Sequence, residues 1–252
     1  MRGGMMDAGR RREIERKVYA GQRLDRADGV GLAGCDDLVW LGRLAHHRRA
    51  DPERAGFVLD PRWGPATDAG LAADAGVTAD AGPAADARSA DAGPVTVLTY
   101  GRDTAPEIWV DRLMAVRDRQ DADGGCRVLV AVRAGTAPEE VATADPAAPV
   151  LALRLLALSR LLLDNVARIA VSYPIEGASL CQLALNFGVD QLLAGAEGGP
   201  EATAALREEL VTLIGDAGFR PVELDPEQRV IHTYDPPPSQ ADRRSEPQRV
   251  WA

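Results

Sequence analysis

The sequence predicts an α/β protein of parallel strand–helix units behind an N-terminal helical cap. Three observations predict it. Short apolar runs, VTVLTY (95–100), RVLVAV (127–132) and RIAVSY (168–173), alternate with longer stretches of helical periodicity. The runs are apolar throughout rather than alternating, which suits strands covered on both faces. With 252 residues and 46% hydrophobic content, the chain can bury one sizeable core.

The N-terminal part is helical in pattern. Residues 1–12 read as a loose basic, disordered tail. From Glu13 on, Ile14, Val18 and Tyr19 recur at helical spacing, and Gly21 is a stop. A second helix can start near Asp25 or Asp28. A third fits Asp36 to His47, with Leu38, Leu41, Leu44 and Ala45 on one face. Phe57-Val58-Leu59, between Gly56 and Pro61, reads as a brief strand, so 13–63 form a helical cap and first strand.

Residues 64–94 differ in kind. Asp-Ala-Gly recurs at 68, 74, 80 and 91, with Asp-Ala-Arg at 86, and Leu71 and Val77 are the only large aliphatic residues there. Such a stretch cannot bury enough surface to offset chain entropy and reads as a disordered linker. Recurring aspartates raise a Ca²⁺-binding repeat, but the glycine-rich nonapeptide pattern is missing.

Beyond the linker, 95–234 is the second ordered block. Helices fit 106–120, 150–165, Ala178 to Phe187 and Glu201 to Ala217. PVEL (221–224) and RVIHTY (229–234) look like a closing pair turning at Asp225-Pro226. The charged, Pro-rich stretch from 235 on reads as a disordered tail.

The balance of charge excludes several functions. The net charge of −9 argues against nucleic acid or an anionic membrane as partner. Lys17 is the single lysine, which fits codon bias as readily as function. Cys35, Cys126 and Cys181 are odd in number and far apart, so no disulfide framework is expected and a cytoplasmic location is. The N-terminus has no apolar segment of a secretory signal, and the run around 150–163 is broken by Arg154 and Arg160. There is no Walker loop and no Gly-x-Gly-x-x-Gly between a strand and a helix. His46 and His47 are adjacent and do not share a helix face, and His232 has no ligand neighbour at metal-binding spacing. Trp40, Trp63 and Trp109 read as core or partner-facing residues.

Several blocks then carry a likeness. AGQRLDRADGVGLAGCDDLVWLGRLA (20–45), GFVLDPRW (56–63), VLTYGRDTAPEIWVDRLMAVRDRQDADGG (97–125) and the segment 153–192 follow one another in a known order. They resemble the N-terminal helices, first barrel strand, a later strand–helix unit and the C-terminal segment of one family. It comprises the radical-SAM enzymes of the futalosine route to menaquinone, aminofutalosine synthase and cyclic dehypoxanthinyl-futalosine synthase. Leu161 to Asn165 match its Leu-Leu-Leu-Asp-Asn stretch. Gln182, Leu185, Phe187, Gly188 and either Asp190 or Gln191 match its Gln-x-x-Leu-x-Phe-Gly-x-x-Asp pattern. The wording of 97–125 leans toward aminofutalosine synthase.

The resemblance implies a TIM-barrel-like fold, here incomplete, since the two ordered blocks fall well short of the roughly 250 residues of a full (β/α)₈ barrel. It also implies a [4Fe–4S] cluster on C-x3-C-x2-C just after the first strand, with S-adenosylmethionine on the fourth iron. In this chain Gly64, Pro65, Ala66 and the linker stand there instead. The family's His after a strand-end Gly is Arg102, its following acid is Thr104, and its His-Pro-Glu-Asn-Thr-like stretch is Arg133-Ala134-Gly135-Thr136.

The expectation is therefore a cluster-less homolog with no catalytic or metal residues and no cofactor. It would bind a futalosine-like molecule or pair with a full-length radical-SAM paralog. The alternatives are half of a composite enzyme and a decayed gene product. Candidate ligand-binding residues are Arg102 and Arg133, at the C-terminal rim where barrel ligands sit, with Gln182 and Asp190.

Overall fold

In a computed structural model of the chain, residues 6–63, 95–101, 105–133, 148–195 and 198–236 are described. The linker, the C-terminal tail, Arg102 and most of the stretch after Arg133 lie outside them.

Three helices open the chain: α1 (Ala8–Tyr19), α2 (Arg26–Ala33) and α3 (Leu38–His47). The expected tail over 1–12 is corrected in its second part. Asp7 caps α1 by accepting from the Gly9 and Arg10 N–H groups, so the helix begins at Ala8, well ahead of Ile14. In α2, Asp25 and Asp28 form a reciprocal capping box, and the fully buried Asp28 also meets Lys17 at 2.8 Å and Arg10 at 2.7 Å. Gly29 lets α2 lie close against the helices behind it, since a Cβ there would stand 2.9 Å from Val110 and 3.0 Å from Leu162.

The sheet follows. Strand β1 (Arg54–Leu59) ends in a short 3-10 turn, Pro61–Trp63. The strand–helix units are β2 (Val95–Tyr100), α4 (Pro106–Asp123), β3 (Val128–Arg133), α5 (Ala148–Leu162), β4 (Arg168–Ser172), α6 (Tyr173–Leu185), β5 (Gln191–Ala194) and α7 (Pro200–Asp216). The pair β6 (Arg220–Leu224) and β7 (Val230–Thr233) closes the described chain. Strand β5 was not expected. Helix α6 starts five residues earlier than expected, because Tyr173 to Glu176 form a turn ahead of a kink at Gly177, whose φ is +75°.

All described strands join one seven-stranded sheet in the order β2-β3-β4-β5-β1-β6-β7, parallel except for the antiparallel β6–β7 pair. The first strand lies inside the sheet: Phe57 is in register with Leu192 of β5 on one side and Glu223 of β6 on the other.

Alternation along the strands divides the core in two. One face sends Phe57, Leu129, Ala131, Ile169, Val171, Leu192 and Ala194 into a large cluster with the helices. The other sends Val58, Val128, Val130, Val132, Ala170, Leu193, Val222 and Leu224 into a second cluster with Trp63 and Ile175. Helices on one face, and strand side chains packed among themselves on the other, are the layering that a barrel wall also has. The fold is thus mixed α/β and agrees with a partial TIM-barrel-like arrangement. Among the described residues the sheet ends at β2 and β7.

Candidate functional site

Parallel strands that share one direction deliver their last residues to one rim. Tyr100 ends β2, Arg133 ends β3, and the turn after β4 carries Glu176. The Tyr100 hydroxyl donates to Glu176 Oε1 at 2.7 Å, and Arg133 Nη2 donates to the Ile175 carbonyl at 3.0 Å. Arg133 Nε is buried and makes no hydrogen bond.

Burial raises the Glu176 carboxyl above its ordinary range, against the opposing pull of the Tyr100 hydrogen bond and the Arg133 charge. Burial, with Glu176 close by, holds the Tyr100 phenol well above its usual value. Tyr173, at the start of α6, donates its hydroxyl to Glu209 of α7. The rim thus combines a carboxyl shifted toward its neutral form, a phenol and a guanidinium with one idle donor. Such a set has the chemistry to hydrogen-bond a polar group.

The four sequence candidates do not converge. Arg102 lies outside the described residues. Arg133 is at the rim. Gln182 is half-buried on α6, beyond the kink at Gly177 that separates it from Glu176.

Asp190 precedes β5, at the end of the sheet opposite the rim, and is fully engaged. Its carboxylate pairs with Arg160, lies 3.7 Å from Arg49 Nε, and accepts from the Ile169 N–H at 2.8 Å. Arg160 also donates to the Gly188 and Val166 carbonyls, and Arg49 to those of Leu185 and Arg54. Asp190 is therefore a tie between the segment after α3, α5, β4 and β5 rather than a ligand contact.

The same region explains the matched pattern. Leu185 is fully buried, Phe187 packs where a Cβ on Gly42 would be 3.1 Å away, and Gly188 adopts φ +88° with Arg160 against it. Counting from Gln182 places Gln191, not Asp190, at the pattern's acidic position. Gln191 begins β5 on the same face as Leu193. It is fully buried, and neither its oxygen nor its nitrogen has a hydrogen-bond partner.

The residues present do not fit a [4Fe–4S] cluster. Cys35 is buried after α2, Cys181 is buried within α6, and Cys126 lies half-buried before β3, with its Sγ against the Val128 carbonyl. Burial raises the thiols of Cys126 and Cys181, the latter helped by the Glu176 charge, so the thiolate a metal needs is disfavoured at both. Among the described residues no group of three or more His, Cys, Asp or Glu could hold a metal ion.

Each histidine lies beside an aromatic ring. His46 lies 5.8 Å from the Phe219 ring, His47 stands edge-on to Tyr19 at 4.7 Å, and His232 to Tyr234 at 4.5 Å. Trp109 is buried and donates to the Leu155 carbonyl, and Trp40 stacks under Arg11. No described helix is long and apolar enough to cross a membrane.

No family model matches the chain. It is 31% identical over 176 residues to the aminodeoxyfutalosine synthase of Streptomyces coelicolor, across 62% of this chain and 45% of that protein. It is 29% identical over 145 residues to the cyclic dehypoxanthine futalosine synthase of the same organism, across 54% of this chain and 36% of that protein. The chain thus spans less than half the length of the curated relatives it matches. These matches bear out the likeness carried by the sequence blocks: the chain is similar to two enzymes of the futalosine route.

Proposed function

We propose that this protein is a non-catalytic relative of the futalosine-route enzymes that acts as a ligand-binding subunit in menaquinone biosynthesis. The observation that carries the proposal is the pairing of a polar rim with sequestered thiols. Tyr100, Arg133 and Glu176 present hydrogen-bonding groups where barrel ligands sit, while Cys35, Cys126 and Cys181 occupy three separate packed positions. A futalosine-type nucleoside suits such a rim. Its neutral polar edges can be met by Tyr100 and Glu176, and an acidic group by the guanidinium of Arg133.

Two measurements test this. After anaerobic iron–sulfur reconstitution, the purified chain is expected to show no stoichiometric iron and no charge-transfer absorption. Calorimetric titration with futalosine is expected to saturate, and to weaken about tenfold in Arg133→Gln. A stoichiometric cluster that responds to S-adenosylmethionine overturns the non-catalytic reading, and unchanged binding in Arg133→Gln overturns the rim as the site.

A second reading has one observation in its favour. The described sheet stops at β2 and β7, so a paralog could add strands there and supply the cluster in trans. Co-expression with a cysteine-bearing paralog, then size-exclusion chromatography and iron analysis, distinguishes the two: a stable complex with cluster-dependent turnover favours the composite enzyme.

A further inference from the structure

The inner face of the sheet can also be entered from the end opposite the rim, and a cavity of about 250 Å³ opens there. Arg54 and Arg168 begin β1 and β4, and alternation puts them on the inward face with Gly56 and Ala170. The cavity lies between these arginines and an apolar floor of Gly56, Val222 and Leu224, with the exposed Val230 beside it.

The missing side chain at Gly56 lets Leu224 lie across the floor: a Cβ there would come within 2.8 Å of the Leu224 Cδ1. Gly56 is in register with Gln191, whose buried amide has no partner, so the interior at this level is not closed around its own polar groups.

The charges are unevenly matched. Asp51 lies 3.7 Å from Arg54 and otherwise accepts from the Glu53 and Arg54 N–H groups. Asp190, the other acid at the cavity, is held by Arg160, with Arg49 alongside. Arg168 has no carboxylate partner and no side-chain hydrogen bond among the described residues; its backbone is held in the sheet beside Val128, the N–H donating to the Arg127 carbonyl. A guanidinium without a counter-charge over an apolar floor calls for an anion with an apolar body.

We propose that this cavity binds a small amphipathic carboxylate, with the carboxylate at Arg168 and Arg54 and the apolar body on Gly56, Val222 and Leu224. A cavity of about 150 Å³ already takes a benzene ring, so the space suits a single ring bearing one acid. This site is at the opposite end of the sheet from the rim and is independent of the function proposed there.

Calorimetric titration of the whole chain with benzoate tests it, with benzamide as the neutral isostere. Saturable benzoate binding is expected, about tenfold tighter than benzamide and about tenfold weaker in Arg168→Gln. Val230→Glu, at an exposed edge position where folding is not at issue, places a repelling carboxylate beside the cavity and is expected to weaken benzoate as well. Arg133→Gln is expected to leave benzoate binding unchanged. Absence of saturation, equal affinity for benzamide, or indifference to both Arg168→Gln and Val230→Glu overturns the proposal. So does loss of benzoate binding in Arg133→Gln, which would move the anion to the rim.

Discussion

Arg160 of α5 and Asp190 at the foot of β5 form an ion pair in which both side chains are at most 9% exposed. Their remaining hydrogen-bonding groups are met by backbone from three directions. A buried pair adds little net stability over an apolar pair, but removing one partner strands the other charge. Asp190→Ala is therefore expected to destabilise the fold by about 3–5 kcal/mol. Urea unfolding followed by circular dichroism measures this. A loss below about 1 kcal/mol would mean that Arg160 finds solvent in the native state.

Gly188 sets the geometry of that pair. Its φ of +88° disfavours any L side chain, and a Cβ there would stand 2.6 Å from the Arg160 Cβ. Gly188→Ala is expected to cost more than about 2 kcal/mol, from backbone strain and the displaced Arg160 stem together. The same denaturation measurement checks it. A near-neutral variant would show that the turn after α6 adapts freely.

Glu176 gives a pH dependence with a definite sign. Its carboxyl is raised in the fold by burial, so folding favours the protonated form. The stability this contributes is complete below the ordinary glutamate value of about 4.3 and is lost as pH rises through the folded value. Glu176→Gln, which cannot ionise, is expected to gain stability relative to the parent as pH increases across that window. Parallel thermal melts from pH 4 upward test this, and a difference that stays flat with pH would contradict the assigned environment.

The opposite sign is expected at His46. Burial lowers its imidazole, so the fold favours the neutral ring. That contribution is present above the ordinary histidine value of about 6.5 and is lost as pH falls through the folded value. His46→Phe, which keeps the ring against Phe219, is expected to resist mild acid better than the parent. Comparing melting temperatures at pH 7 and pH 5 decides it.

Thiol reactivity separates the cysteines. Cys181 is buried in α6 with its thiol raised, whereas Cys126 is half-buried. In the native protein a disulfide reagent is expected to modify Cys126 first and to reach Cys35 and Cys181 only with unfolding. Mass spectrometry of timed samples shows the order. Fast concerted modification of all three would argue for a shared accessible site.

The sequence shows most strands because their apolar runs are bounded by polar turns, as at 95–100, 127–132 and 168–173. Strand β5 is not visible in the same way. Its four residues follow a helix end, and they are strand because β1 and β4 hydrogen-bond to them on either side, which is a non-local fact. Arg133 could be placed at the rim because it ends a legible strand. Glu176 could not, since its partner Tyr100 is 76 residues earlier on another element. Asp190 and Gln191 differ by one position at the start of a strand, and one position is the difference between the helix-facing and inner faces. Strict counting along the family pattern selects Gln191, and the structure shows it on the inner face.

The central place of β1 governs the order in which the molecule can assemble. Its two neighbours, β5 and β6, are made more than 130 residues later. During synthesis the units from β2 to β5 can pair in sequence as they emerge, while β1 waits with both edges open. It inserts only when β5 is in place, and β6 can dock only on β1. The last steps are thus the longest-range closures in the sheet, and these set the folding rate. A ribosome pausing before residue 220 would hold a nascent chain whose first strand still offers one unpaired edge to chaperones or to other chains.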